Sequence, residues 1–164
     1  MWRPYDVYWL EEPVPPEDIR GYLAVKKRAG DTNIVGGEQN TGMAEFRDLL
    51  ELGAVDIIQP GIGMVGGITE WLRVYRLATE FGVPVSPWQL QALNVHTCAG
   101  LPNVKWIEYF PPGNPTNSFQ HRLFKEPHFS EEVTEEGVFL LPPEKPGIGL
   151  VLDEELAEQT RLST

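Results

Sequence analysis

Two apolar runs near the start of the chain each stop on an acid. Residues 7–10 (Val-Tyr-Trp-Leu) lead to Glu11, and residues 33–37 (Asn-Ile-Val-Gly-Gly) lead to Glu38. Both are rich in β-branched and aromatic residues, and neither alternates polar with apolar. Such runs read as parallel strands covered on both faces. Three more follow: 55–59 stopping at Pro60-Gly61, 83–86 stopping at Pro87-Trp88, and 104–108, again ending on an acid, Glu108. The intervening segments carry apolar residues at helical spacing. Ile19, Tyr22 and Leu23 follow Glu17 and Asp18, acids suited to a helix N-terminus, and that helix stops near Gly30. Phe46, Leu49 and Leu50 form the face of a second helix, which Asn40 or Thr41 would cap and Gly53 would end. Ile68, Trp71, Leu72, Tyr75 and Ala78 mark a third, between Gly66-Gly67 and Gly82. A fourth helical stretch spans 93–100.

The strand ends fall at Glu11, Glu38, Gly61, Trp88 and Glu108, 20 to 27 residues apart. That step is one strand, one helix and two short loops. Regular βα alternation predicts an α/β fold with parallel strands. A doubly wound open sheet is one such fold, but no Gly-x-Gly-x-x-Gly follows any strand, and Gly61-x-Gly63 with Gly66-Gly67 is only a loose echo. Acids converging from several strand ends fit a (β/α)8 barrel better, because chemistry there sits at the carboxyl ends of the strands. A full barrel takes about 250 residues and eight strands. Five βα units predict a partial TIM-type barrel over 1–112, the second part of a larger protein. Beyond Phe110 the alternation stops. An irregular polar segment to about Glu136, a hairpin-like run at 138–141, a strand at 147–152 and an acidic tail make 113–164 a C-terminal irregular and β extension.

Charge narrows the partners. A formal net charge of −11 makes nucleic acid and anionic membranes poor partners. An acidic chain suits divalent cations, although most of its carboxylates would be solvated surface. The single cysteine, Cys98, cannot form an internal disulfide and reads as a small buried apolar residue in a reducing cytoplasm. No basic segment followed by an apolar stretch opens the sequence, and no apolar run approaches the roughly 20 residues of a membrane span.

Leu10-Glu11-Glu12-Pro13, Gly37-Glu38, residues 56–60 (Asp-Ile-Ile-Gln-Pro) with Gly66-Gly67-Ile68-Thr69, and Trp106-Ile107-Glu108, taken in order, resemble the enolase superfamily. The resemblance is to its mandelate racemase and acid-sugar dehydratase branch. Residues 15–22 (Pro-Pro-Glu-Asp-Ile-Arg-Gly-Tyr) look most like the aldonic-acid dehydratases. The resemblance implies strands four to eight of the barrel, with the C-terminal segment returning to a capping domain outside this chain. It also implies Mg²⁺-dependent removal of a proton α to a carboxylate, with the enediolate held on the metal. By position, Glu11 and Glu38 match the second and third metal ligands, while the first, an aspartate, lies outside the chain. Glu108 matches the acid that donates a proton or hydrogen bond to the enediolate oxygen. Glu12 reads as a supporting or ion-paired residue.

Two departures from the family pattern bear on chemistry. Where racemase-like members place an aspartate and the histidine it orients, this chain has Gly61 and Trp88, which would line the substrate pocket. Where the lactonizing and epimerase branch places a lysine, it has Met64. Neither glycine nor an indole N–H can act as a base. Racemisation needs proton-transfer groups on both faces of the substrate, whereas dehydration can run with one. The resulting expectation is an acid-sugar dehydratase fragment, inactive alone, that takes a small carboxylate and assembles as a homo-oligomer or with a complementing N-terminal half. The alternatives are a non-catalytic remnant or complementing barrel subunit, and a racemase. His96 reads as a core histidine, and His121 and His128 have no metal-ligand spacing.

Overall fold

A computed structural model describes residues 5–111, 114–115, 122–125 and 129–161. They fall into two compact units. The first comprises the described residues up to Leu90 together with Gly100–Glu108, and the second comprises Gln91–Ala99 and the described residues from Tyr109 onward.

The first unit is a row of parallel strands with helices between them. Strand β1 (Trp9–Glu11) pairs with β2 (Asn33–Gly36), with Glu11 opposite Val35, and β2 pairs with β3 (Ile57–Ile58), with Gly36 opposite Ile58. The row continues through single parallel bridges from Ile58 to Val85 and from Val85 to Val104. Backbone bonds from Val85 N to Asn103 O (2.9 Å) and from Lys105 N to Val85 O (3.0 Å) hold its last member. The predicted order of five segments is present, but the fourth and fifth are bridges rather than full strands. The row curves, since the Trp106 ring meets Tyr8 and Trp9 edge-on at centroid distances of 5.4 and 5.8 Å.

Helix α1 (Ile19–Ala29) starts on Asp18, whose carboxylate accepts from Gly21 N at 2.9 Å. Lys26, Lys27 and Arg28 stand at its negative end, and Gly30 leaves it at φ 69°. Lys26 also reaches the Asp56 carboxylate (2.8 Å), whose other oxygen accepts from Ile34 N (2.9 Å), so α1 is tied to β2 and to the approach to β3. Helix α2 (Met43–Glu51) is capped by neither Asn40 nor Thr41. Gly42 is the N-cap, and the Glu45 carboxylate turns back to accept from Thr41 N (2.8 Å) and Gly42 N (3.3 Å). Those two bonds satisfy helix-start donors in place of an Asn or Thr side chain, and they pull the Glu45 pKa down. Helix α3 (Ile68–Glu80) buries Trp71 and Val74 completely. The Trp71 indole donates to Pro60 O at 2.8 Å and stacks on Tyr75. The core lies where these helices meet the strands: Tyr22, Ile34, Val35, Phe46, Leu49, Ile58, Trp71 and Val85 are all at most 1 % exposed. Each such large apolar side chain contributes about 1.5–3 kcal/mol on burial.

The expectation that both opening strands are covered on both faces is half right. Ile34, Val35 and Gly36 are buried, but Trp9 and Leu10 are half-buried and Glu11 is exposed. The difference follows from position: β2 is flanked by β1 and β3, whereas β1 pairs with β2 alone among the described residues.

In the second unit, helix α4 (Gln91–Cys98) starts and stops two residues earlier than the sequence suggests. Strands β4 (Ser130–Thr134) and β5 (Gly137–Leu141) form an antiparallel hairpin. Residues 130–134 were expected to be irregular. They hold β structure without a buried face, since all five are exposed. Conversely, 147–152 is not a strand; among the described residues its one bridge joins Leu152 to Phe124. Gly147 and Gly149 sit at φ 67° and 69°, left-handed conformations that break an extended run. The acidic tail contains a short helix, α5 (Glu154–Gln159), capped by Asp153. The predicted irregular segment and the sites at His121 and His128 lie partly or wholly outside the described residues. Among the described residues, no helix is long and apolar enough to cross a membrane.

Candidate active site

The acids that end the apolar runs gather at the carboxyl ends of the parallel strands. Glu11 is the last residue of β1, and Glu38 follows β2 by two residues across Gly37, which adopts φ 118°. A side chain at Gly37 would press on Ile58, the Gln59 backbone and Phe46. The chain therefore turns tightly over β3 and brings Glu38 back toward Glu11, to which it hydrogen-bonds. Loss of water first, and then the charges of Glu12, Glu11 and Glu108, together push the Glu38 pKa up to about 7.

Glu108 belongs to the same field. Burial raises its pKa first and the Glu11 charge adds to that, while a bond from Gln89 N to its Oε2 (2.8 Å) opposes them. Gln89 and its neighbour Leu90 hold left-handed φ angles of 45° and 48°. Such conformations are costly for residues with a Cβ, about 1–3 kcal/mol each, and here they aim an amide at Glu108. No pattern along the chain points to Gln89.

Beneath the acids lies Tyr22 of α1, buried, its phenol shifted upward by burial and then by Glu12, Glu38 and Glu11 in that order. A Cβ at Gly36 would stand 2.7 Å from its hydroxyl, so glycine there lets the ring reach under the strand ends. The predicted ion pair at Glu12 is absent among the described residues. Glu12 instead accepts from the Gln39 side chain, its backbone sits at φ 38°, and its Oε1 is buried without a partner. Consecutive acids at 11 and 12 and the amide directly after Glu38 were the available signal for this pair.

Gly61 and Trp88 face each other across a parallel bridge. A Cβ on Gly61 would lie 2.9 Å from the indole Cε3 and 3.2 Å from Met64 Cγ. The two positions thus form one packing unit that fills the wall with an indole and leaves no ionisable group. His96 is a partnered residue as expected, its Nε2 3.0 Å from Ile148 O, although it is half-buried rather than core. Cys98 is buried and its thiol is pushed up to about 12 by burial, which keeps it protonated.

Among the described residues, no three His, Cys, Asp or Glu side chains form a ready-made metal cluster. The pair Glu11 and Glu38 nevertheless suits a small hard cation. Both offer carboxylate oxygens, they stand close together at the ends of β1 and β2, and Mg²⁺ is commonly bound by one or two carboxylates plus water.

The chain is similar to known proteins along nearly its whole length. The family described as Enolase C-terminal domain-like matches residues 1–156. The L-rhamnonate dehydratase of Saccharopolyspora erythraea is 33% identical over 93% of this chain and 39% of its own length. The crystal structure of L-talarate dehydratase from Polaromonas sp. JS666, complexed with Mg and L-glucarate, superposes with a TM-score of 0.80 at 33% identity, covering 98% of this chain and 42% of that one. That of a racemase from Streptomyces coelicolor A3(2) with bound magnesium superposes at 0.81 with 27% identity, covering 96% of this chain and 40% of that one. The chain spans about two fifths of the length of the curated relatives it matches. By a family match over nearly its whole length, the chain belongs to the enolase C-terminal domain-like family of the enolase superfamily.

Proposed function

We propose that this chain is the metal- and acid-bearing part of a Mg²⁺-dependent dehydratase acting on an acid sugar. The observation that carries the reading is the gathering of Glu11, Glu38 and Glu108 in one acid cluster, where burial and then the neighbouring charges push Glu38 up to about 7. In this reading residues 1–112 are a run of βα units from a TIM-type barrel, and 113–164 are an extension toward a separate cap. The curved row and the meeting of Trp106 with Tyr8 and Trp9 support a closing barrel.

Glu11 and Glu38 would hold the cation. When bound, the cation offsets the negative charge that builds on the substrate carboxylate as its α-proton leaves. Glu108, whose pKa burial raises, would donate a proton or hydrogen bond to the oxygen on which that charge accumulates. Trp88 packed on Gly61 supplies an apolar wall that excludes water on one side of the substrate. The wall holds no proton carrier, so chemistry there favours elimination of water over racemisation. The base and a further metal ligand come from outside these 164 residues, on a complementing segment or partner, and the chain alone is inactive.

The test incubates the purified chain with Mg²⁺ and a panel of C5 and C6 aldonates in D₂O, read by NMR. Neither 2-keto-3-deoxy acid nor deuterium at the α-carbon is expected from the chain alone. Adding the N-terminal portion of an acid-sugar dehydratase should yield the keto acid, and Glu108→Gln should abolish it. Turnover by the isolated chain that Glu38→Gln removes would refute the inactivity, and α-deuteration without loss of water would favour a racemase.

A further inference from the structure

The two carboxylates of the proposed metal pair sit on elements that are only partly tied together. The β1–β2 ladder pairs Glu11 with Val35, and its last bond runs from Glu12 N to Val35 O at 3.0 Å. Glu38 lies three residues beyond Val35, past Gly37 at φ 118°, so the ladder does not fix where its carboxylate stands. Besides the contact between the two carboxyl groups themselves, one side-chain bond bridges that gap. Gln39, directly after Glu38, donates its amide to Oε2 of Glu12, directly after Glu11.

Glu12 is held at a cost. Its φ of 38° is left-handed for a residue with a Cβ, and its Oε1 is buried with no hydrogen-bond partner among the described residues. An unpartnered buried carboxylate oxygen is unfavourable, and a strained residue beside a functional group points from the outlier to a role. A loop that needed only to be closed would not require an acid in this place. The one side-chain hydrogen bond Glu12 makes among the described residues goes to the residue behind the other proposed ligand.

We infer that Glu12 and Gln39 are positioning residues, a clamp behind the metal pair that sets the separation of the Glu11 and Glu38 carboxylates. The inference rests on the metal reading above. Its consequence is selectivity. Mg²⁺ demands near-ideal octahedral geometry, whereas Ca²⁺ accepts longer and more irregular coordination. A fixed separation favours the smaller ion, and a loosened one penalises Mg²⁺ more than Ca²⁺. Gln39→Ala opens the clamp without changing charge. The reciprocal variant Glu12→Gln/Gln39→Glu restores one amide–carboxylate bond, with the partners exchanged and the net charge preserved.

Calorimetric titration of the 164-residue chain with Mg²⁺ and, separately, Ca²⁺ tests this, with thermal unfolding as a control for folding. Gln39→Ala should weaken Mg²⁺ binding by about tenfold or more while leaving Ca²⁺ within about threefold, in keeping with the effect of residues that orient metal ligands. The reciprocal variant should recover Mg²⁺ binding. Equal losses for both ions, no loss, or no recovery in the reciprocal variant would overturn the clamp. An unsubstituted chain that binds neither ion, or a Glu38→Gln variant that binds both as well as the original, would overturn the metal reading and the clamp with it.

Discussion

The indole of Trp88 lies where a side chain on Gly61 would have to go: a Cβ at position 61 would stand 2.9 Å from Cε3. Indole and glycine are therefore one decision, and an acid cannot be restored at 61 while the tryptophan stays. Gly61→Ala should destabilise the chain by about 1–3 kcal/mol, the usual cost of overpacking, as read by urea unfolding followed by circular dichroism. Combining it with Trp88→Ala should give back part of that loss. Additive losses would show that the two residues do not share the space.

A second relationship anchors the same loop. Trp71 Nε1 donates to Pro60 O from a fully buried position. Trp71→Phe keeps most of the apolar volume but leaves that carbonyl only the longer bond from Trp88 N (3.4 Å), at a cost of about 0.5–1.5 kcal/mol. The loss should appear in equilibrium unfolding, and the environment of Trp88, read by near-UV circular dichroism, should change with it.

The acid cluster makes stability depend on pH in a definite direction. Glu38 is raised from 4.5 to about 7 in the folded chain, chiefly by burial and then by its acidic neighbours. The folded form therefore keeps a proton that the unfolded form has already released. That contribution is fully present below pH 4.5 and is lost as pH rises through about 7. Thermal unfolding of the metal-free chain should show a midpoint that declines over this window. Glu38→Gln, which cannot ionise, should flatten the decline, and an unchanged slope would mean that Glu38 is not crowded by its neighbours.

Much of the site was legible because a parallel strand writes its end into the sequence. Apolar runs stop at Glu11, Glu38, Gly61 and Trp88, and the structure turns at each. The order of elements through Glu80 followed from helical spacing of residues such as Phe46, Leu49 and Leu50, all buried. The β4–β5 hairpin was not legible in its first strand. Ser130–Thr134 buries no face, so it carries no alternation to read. The run at 147–152 looked like a strand because it is apolar, but two glycines at positive φ divide it. The bonds from Gln39 to Glu12 and from Gln89 to Glu108 were hidden for a different reason. They depend on backbone turns at Glu12 and Gln89 that non-glycine residues seldom adopt, and no local pattern announces them.

If Glu11 and Glu38 form a cation pair, Mg²⁺ titration of the chain at pH 7.5 reads it out. Saturable binding of one ion per chain is expected, weakened by at least about tenfold in Glu11→Gln and in Glu38→Gln. Absence of saturable binding, or binding that survives both substitutions together, would contradict the account.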